Sequence, residues 1–434
     1  MIDIKLVRDY PDLVKAVCKH KQAALTAADI DRLVKLDADR RQLQDQADEL
    51  RRQRNELAAV SKTGKPTAVQ VTKGKQLKAK LATLEAKLEA IDQDYLSLLK
   101  QIPNFPATDV PIGASEVDNV VVRTVGNKPQ FSFPPQTHWQ LGEQRGWIDK
   151  RRAAKVAGAR FAYLKGDLVR LQFALIQFAL DILTDEAKLA TIIHGANLHV
   201  SAKPFVPVLP PAMVRTDIYE ATARLSSKDT TYKLADDELW LNASAEHSLV
   251  PMYAGEILPE AELPIRYAGF TTAFRREAGS YGKDMEGILR LHQFDKLELE
   301  SFTTAETGLD EHFFLIAIQE YLMQQLELPY QVVMKCTADI GKPNARGVDL
   351  EAWLPGQDNY RETHTADYMT DYQARRLATR VRRDSGQIQL VHTNDATAFA
   401  AGRLMVAILE NNQTADGEVT IPAALQRYFG DDSL

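Results

Sequence analysis

Charged and aromatic residues at alternate positions are where chemistry first shows in this 434-residue chain. Arg275 and Glu277 stand two apart at the start of the stretch Phe274 to Glu298, FRREAGSYGKDMEGILRLHQFDKLE. A polar, glycine-containing segment follows, Gly279-Ser280-Tyr281-Gly282-Lys283-Asp284, and then an alternating run, Ile288-Leu289-Arg290-Leu291-His292-Gln293-Phe294. Alternation on both sides of such a segment predicts a long antiparallel hairpin. Residues two apart on a strand share a face, so Arg275 points with Glu277, and Arg290 with His292 and Phe294. Two arginines, a carboxylate and a ring on one face suit an anionic phosphate chain and a flat base. A solvated hairpin with surface ion pairs uses the same residue types, so this stretch alone leaves both readings open.

Four further groups complement it. Ser244-Ala245-Glu246 offers a hydroxyl and a carboxylate, a pair able to hold an ammonium and a small hydroxyl. Glu298 lies four residues past Phe294, where a returning strand aims it at the same place. Glu362 and Thr365, in Tyr360-Arg361-Glu362-Thr363-His364-Thr365, are hard oxygen donors of the kind Mg²⁺ prefers. Arg403 follows Gly402 on an expected amphipathic helix over 398–411. Taken singly, each residue type is as common in structural ion pairs as in sites. The chain carries no GxxxxGK[ST] loop, no strand-borne GxGxxG, no HExxH and no GxSxG. If a nucleotide binds here, arginines and a metal would hold its phosphates rather than a phosphate-cradling loop.

These residues need elements to position them. Residues 1 to about 26 read as a short strand and an amphipathic helix. Leu33, Leu36, Arg40, Leu43, Ala47, Leu50, Arg54 and Leu57 then alternate spacings of three and four. After a break at Ser61-Lys62-Thr63-Gly64-Lys65-Pro66-Thr67, the pattern resumes with Leu77, Leu81, Leu84, Leu88, Ile91, Tyr95 and Leu98. Two heptad arms around a Gly/Pro break predict an antiparallel helical hairpin over about 28–100, each arm reaching on the order of 45 Å. Such an arm serves as a dimerising spacer or as a grip on a long polyanion. Its most basic part is the tip and the start of the second arm, Lys62 to Lys80. Gln101-Ile102-Pro103-Asn104-Phe105-Pro106 is a linker and the expected domain boundary. Beyond it come a short strand at Arg160–Leu164, a long apolar helix from Gly166, and a strand at 205–211 ending in a proline pair. Further strands are expected around 238–242, 249–253, 264–274, 330–336 and 348–354, with helices over 304–325 and 398–411. Strands grouped around hairpins predict an α+β fold with an antiparallel sheet and helices on one side.

Composition sets bounds. Net charge is −6, hydrophobic content 45% and charged content 26%, as in soluble globular proteins. Any nucleic-acid surface is therefore local. Two cysteines, Cys18 and Cys336, make neither a disulfide framework nor a zinc site. No run approaches the about 18 apolar residues of a membrane span, and the charged N-terminus is no signal peptide. A cytoplasmic location is expected, with no membrane and no DNA partner.

With these residues in hand, the chain resembles the class II aminoacyl-tRNA synthetases in their seryl-tRNA synthetase form. FRREAGSYGKDMEGILRLHQFDKLE is similar to the family's motif 2 (about 268–298), and AAGRLMVAILENNQTADGEVTIPAAL (400–425) to its motif 3 (about 398–425). The segment from Gly166 to Pro211 resembles motif 1, and the two-arm coiled coil resembles the family's tRNA-binding arm. HWQLGE, VAGARFAYLKGD, DLEAWLP and DYQARR resemble other family blocks. The resemblance implies a tRNA-binding domain over 1–103 and a catalytic domain over 104–434. It implies activation of L-serine by ATP with Mg²⁺, transfer to tRNA(Ser) and also tRNA(Sec), and a homodimer. It implies ATP binding by Arg275, Arg276, Glu277, Leu291, His292, Gln293, Phe294, Glu362, Thr363, His364, Thr365 and Arg403. In that set Arg275 and Arg403 are catalytic, Phe294 stacks on adenine, and Glu362 and Thr365 hold the metal. Serine binding falls to Ser244, Ala245, Glu246, Arg275, Glu298, Asp395 and Thr397, with Glu246 at the amino group and Glu298 at the hydroxyl.

The chain also departs from the family pattern. A block usually reading NGSG is Asp395-Ala396-Thr397-Ala398, which places a carboxylate where the family has an asparagine. The stretch after Thr365, usually SNC-like, is Ala366-Asp367-Tyr368-Met369. The loop Arg215 to Thr231 lacks the usual GTGQLPKF-like sequence, and the connection around 184–204 is lengthened. Two other functions fit the same blocks: a ligase that activates another small amino acid or loads a carrier protein, and a catalytically silent RNA-binding paralogue. The basic arm argues against carrier loading, and the retained Arg275, Glu277, Phe294, Glu362 and Arg403 against silence.

Overall fold

A computed structural model describes residues 1–60, 67–225, 230–277 and 286–434. The chain forms two compact units, Met1–Phe105 and Pro106–Leu434.

The first unit is helical throughout. Where a strand was expected, a short helix runs from Ile4 to Asp9, because the Asp3 side chain accepts the Lys5 N–H and caps it. Pro11 opens the next helix, Pro11–His20, in the first turn, where a missing N–H costs no hydrogen bond. Two long helices follow, Ala27–Val60 and Ala68–Leu99. Thr67 and Gln70 close a capping box on the second; Ser61 to Pro66 of the expected break lie outside the described residues. Leu77, Leu81, Leu88, Tyr95 and Leu99 are buried, which is the heptad seam. Arg32 pairs with Asp94 at 2.6 Å and Arg51 with Glu85 at 2.9 Å across the arms. These exposed pairs are screened by water, add little stability and mainly fix register. The buried Asp37 accepts from Arg8 at 3.0 Å and Arg41 at 3.2 Å, fastening the first short helix to the arm.

The second unit is built on an eight-stranded sheet. In chain order its strands are β1 (Val120–Val125), β2 (Val206–Val208), β3 (Ile265–Phe274), β4 (Gln293–Thr303), β5 (Tyr330–Met334), β6 (Arg346–Leu354), β7 (Asn359–Thr370) and β8 (His392–Ala400). They lie side by side as β1-β5-β6-β7-β8-β4-β3-β2, antiparallel except for the edge strand β2, which runs parallel to β3. The strand expected over 205–211 is only these three residues, and Pro207 fits there because an edge strand needs fewer N–H donors. The lengthened connection before it is a capped helix, Glu186–Gly195.

Side-chain parity divides the sheet. Tyr330, Val332 and Met334 of β5, and Val348, Leu350, Ala352 and Leu354 of β6, are buried in the main core. That core also takes the apolar stripes of the helices Asp167–Leu183, Gly308–Gln325 and Ala401–Asn411. The intervening residues, Gln331 and Val333 of β5, Lys335 just past its end, and Asp349 and Glu351 of β6, line a cavity on the other face. One face is thus apolar and helix-covered, the other polar and open. Arg266 on β3 clamps the layers. It makes a bidentate pair with Glu311 at 2.6 and 2.7 Å and donates to the carbonyls of Ser201 and Lys203.

Some expected elements change. The segment 249–253 is not a strand: a helix Glu246–Leu249 leads into a 3-10 turn Val250–Tyr253, whose Pro251 cannot donate to a ladder. The strand at Arg160–Leu164 shrinks to Tyr163–Leu164, with Arg160 at φ 60°. The hairpin pairs Ile265–Phe274 with Gln293–Phe302 in unbroken register, but the return strand begins at Gln293, not Ile288. Ile288 and Leu289 are adjacent and both buried, which a strand with one polar face cannot accommodate. The expected turn, Gly279 to Asp284, lies outside the described residues. Helix 398–411 starts at Ala401 because β8 continues to Ala400.

Candidate active site

The polar face of the sheet floors a cavity of about 850 Å³. Arg275 leaves the end of β3; its Nε donates to the Ala243 carbonyl at 3.3 Å, and its guanidinium lies 5.3 Å from the Phe294 ring centroid. Glu277 accepts from Arg290 at 2.6 Å. Across the cavity, Arg403 Nη1 donates to the Glu362 carboxylate at 2.9 Å and to its carbonyl at 3.0 Å. Desolvation favours neutral Glu362, but Arg403, Lys335 and Arg275 outweigh it and hold the pKa below the usual carboxylate range.

A β-bulge puts the expected metal donors side by side. Residues three apart on a regular strand face opposite ways. Here Glu351 pairs with Glu362 and Leu350 with His364, so Thr363 is an extra residue and the phase shifts by one. Glu362, Thr365 and Asp367 then all line the cavity. Thr365 Oγ1 accepts from Lys335 Nζ at 2.8 Å, and Lys335 pairs with Asp349 at 3.2 Å and Asp367 at 3.1 Å. Burial opposes the Lys335 charge, but those two aspartates raise its pKa; burial also pushes Asp349 up to about 7. Among the described residues no three His, Cys, Asp or Glu side chains converge as a metal cage. The opposed carboxylates Glu351 and Glu362 suit an ion that keeps waters and shares phosphate oxygens, as Mg²⁺ does.

A second cluster lies beside the first. Thr397 Oγ1 donates to Glu298 Oε1 at 3.1 Å. Lys296 Nζ pairs with the same carboxylate and donates to Ser244 Oγ at 3.2 Å. Burial raises the Glu298 pKa against the opposing charge of Lys296. Glu246 Oε1 lies 3.4 Å from Arg224 Nε and 3.3 Å from His247 Nε2. Burial disfavours the Glu246 charge, yet Arg224, His247 and Lys296 hold its pKa well below the usual range. Asp395 is buried against Arg224 Nη2, so the extra carboxylate expected near the pocket is matched by a guanidinium.

Of the residues expected from sequence, Arg275, Glu277, Leu291, Phe294, Glu246, Glu362, Thr363, Thr365, Thr397 and Arg403 line the one cavity. Ser244, Glu298 and Asp395 are buried and meet the lining through Lys296, Thr397 and Arg224, and Ala245 is fully buried beside Gly269. Four others face elsewhere. Arg276 lies over Tyr232, 5.4 Å from its ring centroid. His292 Nδ1 bonds the Arg275 carbonyl at 2.9 Å. Gln293 is exposed opposite Phe274, on the other side of the strand from Phe294. His364 is fully buried beside Thr363 Oγ1, and burial pushes its pKa down to about 3. Lys296, Lys335, Asp349, Glu351, Asp367 and Arg224 also line the cavity without having been singled out. Lys296 is accessible from spacing, midway between Phe294 and Glu298; Arg224 stands just past the end of a short helix, Thr216–Ala221, and gives no such signal.

The residues 1–106 match the family model of the seryl-tRNA synthetase N-terminal domain, and 230–412 match the class II tRNA synthetase core domain (G, H, P, S and T). A serine–tRNA ligase of Thermotoga petrophila is 41% identical over 99% of this chain and 99% of its own length. One of Syntrophotalea carbinolica is 39% identical over 99% and 98%. The crystal structure of seryl-tRNA synthetase from Pyrococcus horikoshii complexed with ATP superposes with a TM-score of 0.88 at 36% identity, covering 100% of this chain and 99% of that one.

Proposed function

The chain belongs to the seryl-tRNA synthetase family of class II aminoacyl-tRNA synthetases, and on that premise we propose which of its residues carry the reaction. The activity is serine–tRNA ligation, and the chain binds ATP. Serine's carboxylate attacks the α-phosphorus of ATP and pyrophosphate leaves. The tRNA 3′-terminal hydroxyl then attacks the adenylate carbonyl, and AMP leaves. Both steps depend on placing reactants and neutralising charge on phosphoryl oxygens, more than on proton transfer.

The reading rests on one observation: Arg275, Phe294 and the Arg403–Glu362 pair share a cavity with the Thr397–Glu298 hydrogen bond. Arg275 stabilises the α-phosphate and orients the carboxylate, while Phe294 under its guanidinium offers a face to adenine. Arg403 takes the far phosphates, which frees Glu362. Glu362, Glu351 and Thr365 would hold Mg²⁺, which when bound supplies positive charge to the phosphates. Glu246 holds the substrate ammonium, and Thr397 with Glu298 reads its hydroxyl. A site built to bond that hydroxyl rejects alanine, because its buried polar groups would be left unpaired.

The helical arm (about 28–100) serves tRNA(Ser), and the molecule works as a cytoplasmic homodimer. Exposed Phe173, Val206 and Leu209 on the motif 1 elements support the dimer. Among the described residues no helix is long and apolar enough to cross a membrane. Serine-dependent ATP–pyrophosphate exchange tests the assignment. Arg275→Ala is expected to lose about 10²–10³-fold or more while keeping the fold. Near-normal exchange would remove Arg275 from its role. Deleting residues 28–100 is expected to spare exchange and cripple tRNA charging.

A further inference from the structure

Three of the four segments that depart from the family pattern meet in space. Arg224 comes from 215–231, Asp367 from 366–369 and Asp395 from 395–398. Arg224 Nη2 bonds Asp395 Oδ2 and lies 3.8 Å from Asp367 Oδ2. Its Nε lies 3.4 Å from Glu246 Oε1 but makes no hydrogen bond of good geometry. The side chain is 14% exposed and lines the cavity. Asp395 stands two residues before Thr397 on β8, on the same face. The guanidinium therefore spans from the carboxylate assigned to the substrate ammonium to the strand that carries the hydroxyl reader.

One cation shared by three carboxylates cannot satisfy all of them. A guanidinium drawn fully to Glu246 would compete with an incoming ammonium. A guanidinium drawn to Asp395 and Asp367 leaves Glu246 available. The aspartates and the arginine are thus a matched set, and either aspect alone is harmful.

We propose that Arg224 is a positioning residue for amino-acid binding: Asp395 and Asp367 hold its guanidinium back from Glu246, so that Glu246 can take the ammonium of the substrate. The inference rests on the assignment of Glu246 to that ammonium. It differs from a purely structural role in one respect. A loss of packing would lower stability and disturb both substrates, whereas this network acts on the amino acid and not on ATP.

The test uses the full-length protein and serine-dependent ATP–pyrophosphate exchange, with KM measured separately for serine and ATP. Absence of exchange in the unmodified protein would refute the serine assignment itself and leave the network out of question. With exchange established, Asp395→Asn releases Arg224 toward Glu246, and serine KM is expected to rise about tenfold or more. Arg224→Gln takes the guanidinium from Asp395 and leaves Asp367 to Lys335 and Glu246 to His247, and it is expected to raise serine KM by a similar factor. The double variant Arg224→Gln/Asp395→Asn removes both faults and is expected to return to within about threefold of the starting value, a strongly non-additive cycle. ATP KM should change less than about twofold throughout, since no phosphate-facing charge is altered. If Arg224→Gln does not fold, Arg224→Lys keeps the charge without the fork and is expected to raise serine KM alone. Additive single effects, or parallel shifts in serine and ATP KM, would overturn the proposal.

Discussion

Gly287→Ala tests how the cavity floor is held. Gly287 has φ 65°, and a Cβ built there would lie 1.8 Å from His138 Nε2. That ring cannot yield cheaply. His138 is 1% exposed, its Nδ1 bonds the fully buried Glu410 at 2.9 Å, and its Nε2 accepts the Ile288 N–H at 3.2 Å. Because Ile288 can only donate, Nε2 must carry the lone pair and Nδ1 the proton. The left-handed backbone costs alanine about 1–2 kcal/mol. Displacing the ring orphans the Ile288 N–H and strains the Glu410 bond, adding about 1–3 kcal/mol for each buried group left unpaired. A total of about 3–5 kcal/mol lowers the melting temperature of a unit as large as Pro106–Leu434 by about 4–7 °C. Melting followed by circular dichroism measures this, and ATP KM should rise because Ile288 and Leu289 precede Arg290 and Phe294 in the lining. Adding His138→Ala opens space for the new methyl, so the double variant should cost less than the sum of the singles. A Gly287→Ala protein that melts within about 1 °C of the original would refute the clash as the reason for glycine here.

Thr397→Val keeps the shape but loses the hydroxyl bonded to Glu298; serine kcat/KM in exchange should fall about 10–100-fold, while alanine changes little. Glu300 is buried directly opposite Asp395, its oxygens have no hydrogen-bond partner among the described residues, and burial with the nearby carboxylates holds its pKa well above the usual range. A raised folded pKa gives stability that is present at low pH and lost as pH rises through it, so Glu300→Gln should raise the melting temperature more at pH 8 than at pH 5. Equal gains at both pH values would contradict this. Arg266→Met strands the carboxylate of Glu311 in the core and should cost about 3–5 kcal/mol in denaturant melts, most of it regained in Arg266→Met/Glu311→Leu.

Periodic features of this chain were legible and phase shifts were not. The heptads of the arm announced two helices because every turn of the seam repeats the same demand. The hairpin and the sheet class followed from alternation, and ten residues that line the cavity followed from the family resemblance, five of them in motifs 2 and 3. Alternation alone starts the return strand at Ile288, because Ile288-Leu289 reads as part of the run; the burial of both residues moves its start to Gln293. His364 was grouped with its neighbours, but the extra residue at Thr363 turns it into the core. The partner of Asp395 was invisible, since Arg224 is 171 positions away and follows no pattern.

The bulge at Thr363 bears on which changes a lineage of such proteins can survive. Each strand runs two tracks, one for chemistry and one for packing, and a point substitution stays on its track. The extra residue at Thr363 is absorbed by the bulge, but loss of a regularly paired residue such as Ala366 would exchange the tracks on one side of it, sending Asp367, or Thr365 with Glu362, away from the cavity. Length change within β7 should therefore be purged, while the loops between strands absorb insertions. The bulge acts as a reading-frame marker in three dimensions.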